Sequence, residues 1–212
     1  MKNTSLVIFA TAVLLFVAGT GNAQTRIGTN LGAVEYSMGF NSGRASDYIS
    51  DPSFSGASLT FKRFVKNNVA VGVEFNWNVF SDEQPDGFTE FQNGAVSGAQ
   101  ARYINYIPLY ATIGYYFNQG HRSKFIPYVQ ANVGAAWIGQ RLQLGVNKID
   151  NDNWHFAVGP ELGFMYVLGT DLMMTVNGKY NYNLSAGENL RGEDDNEYSY
   201  INANIGIGYY IR

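Results

Sequence analysis

The chain has 212 residues, with 14 Lys and Arg against 17 Asp and Glu, and it has no cysteine. A formal charge of −3 is too mild for a nucleic-acid partner, and without cysteine neither disulfides nor thiolate metal sites can form. The 24 glycines and 15 % aromatic residues suit a β-rich wall of closely approaching strands better than a helical enzyme.

The first 23 residues read as a cleaved secretory signal. Lys2 is the one charge before residue 25, residues 6–18 are almost unbroken apolar, and Gly21 and Ala23 stand at the −3 and −1 positions of a cleavage site. The apolar run is short for an anchor helix. Cleavage after Ala23 leaves Gln24 first, and without a cysteine there lipoprotein processing is excluded. Beyond Ala23 no apolar stretch approaches the roughly 20 residues of a spanning helix. Residues 24–212 are therefore one domain, either soluble or spanning a membrane as a barrel.

From there the period is two. In residues 69–80, Val69, Val71, Val73, Phe75, Trp77 and Val79 alternate with Ala70, Gly72, Glu74, Asn76 and Asn78, the pattern of a strand with one apolar face. The same phase recurs at 33–41, 54–64, 99–117, 125–138, 155–168, 172–184 and 200–211, which predicts eight strands. Connections alternate between short turns (65–68, 118–124, 169–171) and long loops (41–53, 81–98, 139–154, 185–199). This is the plan of an all-β, eight-stranded antiparallel up-and-down transmembrane β-barrel, with both termini on the short-turn side.

Alternation alone also fits a soluble barrel with an apolar interior. The polar face argues for lipid outside, because it is rich in Gly and Asn and carries Glu35, Glu74, Arg102, Glu161 and Lys179. Aromatic residues, among them Phe61, Trp77, Tyr103, Tyr115, Phe117, Phe125, Trp137, Tyr166 and Tyr209, gather towards the ends of the apolar faces, as interfacial girdles do. The five charges share one phase, so closure predicts a lumen cluster that either plugs the interior or lines a narrow channel, with Lys62 near one mouth. A filled interior is the expected case for so narrow a barrel.

The last strand ends in Asn204-Ile205-Gly206-Ile207-Gly208-Tyr209-Tyr210-Ile211. It resembles the terminal assembly signal of outer-membrane barrels, with Asn204, Gly206, Tyr209 and Ile211 in its roles; the final Arg212 departs from the aromatic that many such proteins carry. Ile107-Pro108-Leu109-Tyr110-Ala111-Thr112-Ile113-Gly114-Tyr115-Tyr116-Phe117, followed by Phe125-Ile126-Pro127-Tyr128-Val129, is similar to a central hairpin of the small outer-membrane β-barrel domain family. That porin-like family has the plan of the barrel domain of outer membrane protein A. The resemblance covers most of residues 24–212 and implies a bacterial outer-membrane location with periplasmic termini. It also implies contact with membrane lipid and lipopolysaccharide, and folding by the barrel-assembly machinery through the last strand. It implies no one function.

Catalytic and metal signals are weak. His121 lies in a turn, and His155-Phe156-Ala157 offers no nucleophile where a lipid-acting barrel enzyme would want His-x-Ser. The two histidines are not at metal-ligand spacing, so neither a metal nor a cofactor is expected. The long loops are acidic, with Asp82, Glu83, Asp86 and Glu90 in one and Glu188, Glu193, Asp194, Asp195 and Glu197 against Arg191 in another. The short-turn side carries Lys62, Arg63, Lys66, Arg122, Lys124 and Arg212. The expected function is non-enzymatic, a structural or surface-interaction role of a monomeric barrel through its long loops. The alternative is a small porin for polar solutes, and a lipid-modifying enzyme comes third.

Overall fold

The computed structural model describes residues 27–91, 94–117, 124–144, 147–184 and 198–211. The expected signal segment and the loop acids Glu188 to Glu197 lie outside the described residues, as do His121 and Arg122. Eight strands form one closed barrel in sequence order: β1 (Asn30–Ser42), β2 (Ser55–Lys66), β3 (Val69–Phe91), β4 (Gly94–Tyr116), β5 (Phe125–Leu144), β6 (Asn147–Val167), β7 (Leu172–Asn183) and β8 (Tyr198–Ile211). Every neighbouring pair is antiparallel, and β1 closes on β8 from Asn30↔Ile211 to Ser42↔Ser199. Closure pairs the backbone of both terminal strands, which is what lets a sheet cross hydrocarbon. No helix among the described residues is long and apolar enough to do so.

The apolar phase faces outward. Val71, Val73, Phe75, Leu109, Ile113, Val133, Leu162 and Ile205 are all exposed, as are Phe61, Trp77, Tyr115, Phe117, Phe125, Tyr166 and Tyr209. So much exposed apolar surface, backed by a polar interior, has its natural solvent in lipid. The lumen phase is buried, including Glu35, Glu74, Glu161, Lys62 and Lys179. Some wall positions admit no side chain. A Cβ at Gly134 would lie 2.0 Å from the Leu109 carbonyl oxygen, and one at Gly206 would lie 2.2 Å from that of Val34. At both places the neighbouring strand coils across the space a side chain would need.

Two of the expected long loops are not loops. Segments 81–98 and 139–154 continue as ladders, β3 with β4 as far as Phe91↔Gly94 and β5 with β6 as far as Leu144↔Asn147. The ladder shifts register between Gln84 and Gly87, next to Pro85. The hairpins outrun the apolar pattern because strands standing in water need no apolar face, so alternation fades while pairing persists. β4 and β5 stay paired as far as Gln100↔Leu144, which makes the two hairpins one four-stranded sheet raised above one side of the barrel. In segment 41–53 the chain instead forms a short helix, α1 (Arg44–Tyr48), set into the mouth.

Candidate functional site

The lumen is built in three layers, each fixed by which even- or odd-numbered residues a strand turns inward. At the short-turn end Leu31, Phe64, Tyr116, Ile126, Tyr128, Met165, Met173 and Tyr210 form one apolar cluster. Phe64 meets Tyr116 edge-on at 5.1 Å between ring centroids, and Tyr116 stacks on Tyr128 at 4.9 Å. At the long-loop end Phe80, Ile104, Tyr106, Tyr110, Ile138, Tyr198 and Tyr200 form a second cluster. There Tyr106 stacks on Tyr200 at 4.3 Å, and Phe80 meets Tyr106 edge-on at 5.4 Å. α1 sits over this layer, with Ala45 and Ile49 fully buried against it.

Between the aromatic layers lies a polar band. Lys179 and Glu74 form a buried ion pair across the barrel. The Lys179 Nζ also stands 5.3 Å from the Tyr110 ring centroid, and Ser58 Oγ donates to Glu74 at 3.5 Å. Glu161 is held by three donors: the Tyr128 hydroxyl at 2.7 Å, Gln130 Nε2 at 3.1 Å and Asn132 Nδ2 at 3.3 Å. Gln130 Nε2 is also 3.4 Å from Glu74, so the two carboxylates share one amide. Glu35 accepts from Asn177 Nδ2 at 3.1 Å, and Asn177 in turn accepts from Asn204 at 2.7 Å. Lys62 lies 5.3 Å from the Tyr128 ring centroid, in the field of Glu161, Glu74 and Glu35. Three carboxylates and two ammonium groups thus share one buried band. Beside Lys62 and Glu35 a lumen cavity measures about 10 Å³, space for about one water molecule. Next to the charges an amide ladder links four strands: Asn181 donates to Asn202 at 2.6 Å, and Asn202 donates to Asn78 at 2.8 Å and to Ser37 at 2.9 Å.

Four of the five lumen charges expected from the sequence, Glu35, Glu74, Glu161 and Lys179, lie in this band. Arg102 does not. Its Nη1 donates to the Tyr48 carbonyl at 3.3 Å, and its guanidinium stands 5.2 Å from the Tyr48 ring, so it clasps α1 at the mouth. Period two specifies a face but not a height. Glu74 pairs with Tyr110 on β4, and Arg102 lies eight residues further along that strand, about 26 Å away at 3.3 Å per residue. Lys62 supplies the second cation of the band. In β8, Asn204 and Gly206 turn to the lumen, while Tyr209 and Ile211 are exposed on the outer face. His155 faces inward, its Nδ1 2.8 Å from the Leu184 carbonyl oxygen and its ring against Tyr198. Among the described residues no three His, Cys, Asp or Glu side chains stand close enough to hold a metal.

Three solved structures resemble this one along their whole length. Neisserial surface protein A aligns with a TM-score of 0.55 at 12 % identity, over 85 % of this chain and 96 % of that one. The attachment invasion locus protein of Yersinia pestis aligns with a TM-score of 0.54 at 12 % identity, over 88 % and 100 %. Outer membrane protein OprG of Pseudomonas aeruginosa aligns with a TM-score of 0.51 at 13 % identity, over 91 % and 99 %. The fold is that of the small outer-membrane β-barrels. At such identities the likeness extends to fold and not to task. No family model and no curated protein matches the sequence.

Proposed function

We propose that this protein is a closed, non-enzymatic barrel of the bacterial outer membrane that works through its outer surface. The observation that carries this reading is the lumen, packed with a polar band between two aromatic layers. A wall with no usable interior leaves the exterior as the working surface. Among the described residues, the four-stranded sheet raised at the long-loop end extends furthest past the apolar wall. In the same reading the signal is cleaved after Ala23 and both termini are periplasmic. The last strand, through Asn204, Gly206, Tyr209 and Ile211, is the handle for the barrel-assembly machinery. The barrel is a monomer surrounded by membrane lipid and lipopolysaccharide. One structural neighbour is named for attachment and invasion, which suits a surface-interaction role.

The absence of cysteine makes the placement testable. Gln143→Cys on the raised sheet should react with a membrane-impermeant maleimide on intact cells, and Lys66→Cys should react only after the envelope is broken. The opposite pattern, or equal labelling of both, would contradict the placement. Proteoliposomes carrying the protein should not swell in small sugars; swelling would favour the small-porin alternative.

A further inference from the structure

On the outer face, β4, β5 and β6 run side by side past the end of the apolar wall. Ile107, Trp137 and Trp154 pair in the last apolar row, and Trp154 is 65 % exposed. The next row is Asn105, Gly139 and Asp152, and the one beyond is Tyr103, Arg141 and Asp150. A groove of about 130 Å³ lies over these two polar rows. The indole of Trp137 is folded up along the wall into it. A Cβ at Gly139 would come within 2.6 Å of the ring, and Nε1 donates to Asp152 Oδ2 at 3.2 Å. The indole is therefore held flat across a glycine floor instead of hanging into lipid.

Above it Arg141 Nε donates to Asp150 Oδ1 at 2.7 Å, and Lys148 Nζ lies 3.0 Å from Oδ2. These hydrogen bonds from Arg141 and Lys148 hold the Asp150 carboxyl below its usual range, so the triad stays charged well below neutral pH. Two cations share the Asp150 carboxylate, and with Asp152 in the row below the four charges around the groove balance. The Arg141 side chain is half exposed, and only its Nε is committed to Asp150.

We propose that this groove holds the sugar-phosphate headgroup of a glycolipid standing beside the barrel. The proposal rests on the membrane placement given above. Each part matches one piece of such a headgroup. The pinned indole offers a flat face to the C–H side of a sugar ring. Asn105 and Asp152 reach hydroxyls, and the guanidinium nitrogens of Arg141 that Asp150 leaves uncommitted reach a phosphate. The acyl chains would run down the wall over Ile107 and Trp154. Location decides for a lipid over a soluble sugar phosphate, because the groove lies on the outer face of the wall, one residue pair beyond the last apolar row.

The test uses the whole mature protein in phosphatidylcholine vesicles, titrated with bisphosphorylated lipid A and followed by tryptophan emission. Saturable binding is expected. It should weaken about tenfold in R141Q/K148Q, the loss of one charge-assisted hydrogen bond or more, and it should weaken also in G139A, where the added methyl lifts the indole. R63Q at the opposite end should bind as the parent does. Equal binding of lipid A and phosphatidylglycerol, or full binding by R141Q/K148Q, would overturn the site. So would competition by inorganic phosphate at equal concentration, which would mark an anion site without a headgroup. Protein that enters vesicles without binding lipid A refutes the site alone; protein that never enters them refutes the membrane reading beneath it.

Discussion

Lys179 reaches Glu74 from the far side of the barrel, and that pair sets the largest single-residue effect expected here. Removing the ammonium leaves three carboxylates in a buried band with Lys62 as the remaining cation. Lys179→Met should therefore cost about 3–5 kcal/mol, the usual consequence of stranding a buried charge. Urea unfolding in lipid vesicles would measure it. Adding Glu74→Gln should recover much of the loss; a single variant as stable as the parent would mean that water already screens the band. Gly206→Ala tests the seam between β1 and β8, where the new methyl would meet the Val34 carbonyl. Overpacking of that kind costs about 1–3 kcal/mol, and an unchanged unfolding midpoint would show that the seam has slack. At this scale the sequence made phase legible and height not. Glu35, Glu74, Glu161 and Lys179 share a face, and an alternation of period two cannot say that Arg102 stands above them. The partners of Glu161, namely Tyr128, Gln130 and Asn132, lay in the same phase but come from a neighbouring strand, so only the register reveals them.

Strands were legible wherever one side faces lipid and the other the lumen, because only there does composition alternate. All eight were visible for that reason, as was the exposure of Val73 at 53 % on the outer wall of β3. Val73→Arg should destabilise the barrel by about 2–4 kcal/mol if the site sits near the bilayer midplane, and the shift should shrink when the arginine is moved to Ser81 on the raised sheet. Equal costs at both positions would contradict the assignment of lipid to the lower wall. The raised hairpins escaped the pattern because Asp82, Glu83, Gln84 and Pro85 read as loop, although the first three still ladder with β4 and pairing resumes at Gly87 beyond the irregularity at Pro85. α1 escaped it for a different reason. Five residues carry too little periodicity to register, and what holds them is tertiary: Ala45 and Ile49 pack on the aromatic layer while Arg102 clasps Tyr48. Arg102→Ala should speed hydrogen exchange of the Ile49 amide, which donates to Ala45, and leave barrel amides unchanged. Exchange that rises across β3 and β4 as well would place Arg102 in the wall's own stability.

For the molecule as a whole, everything turns on whether the lumen is a plug or a path. Polar lining alone favours neither, since asparagines, lysines and glutamates suit a selectivity filter as well as a self-satisfied core. The two aromatic layers are what favours the plug. Tyr106 stacks on Tyr200 at one end, and Tyr116 stacks on Tyr128 at the other, so large buried rings stand across the lumen on both sides of the polar band. Opening either layer would mean unstacking buried rings and exposing the Lys179–Glu74 pair. The direct measurement is conductance of the purified mature protein in a planar bilayer. The closed-barrel account predicts insertion without resolvable current steps, in the parent and in Arg102→Ala alike. Stable, ion-selective steps whose selectivity changes on replacing Lys179 would contradict it and make the polar band a filter.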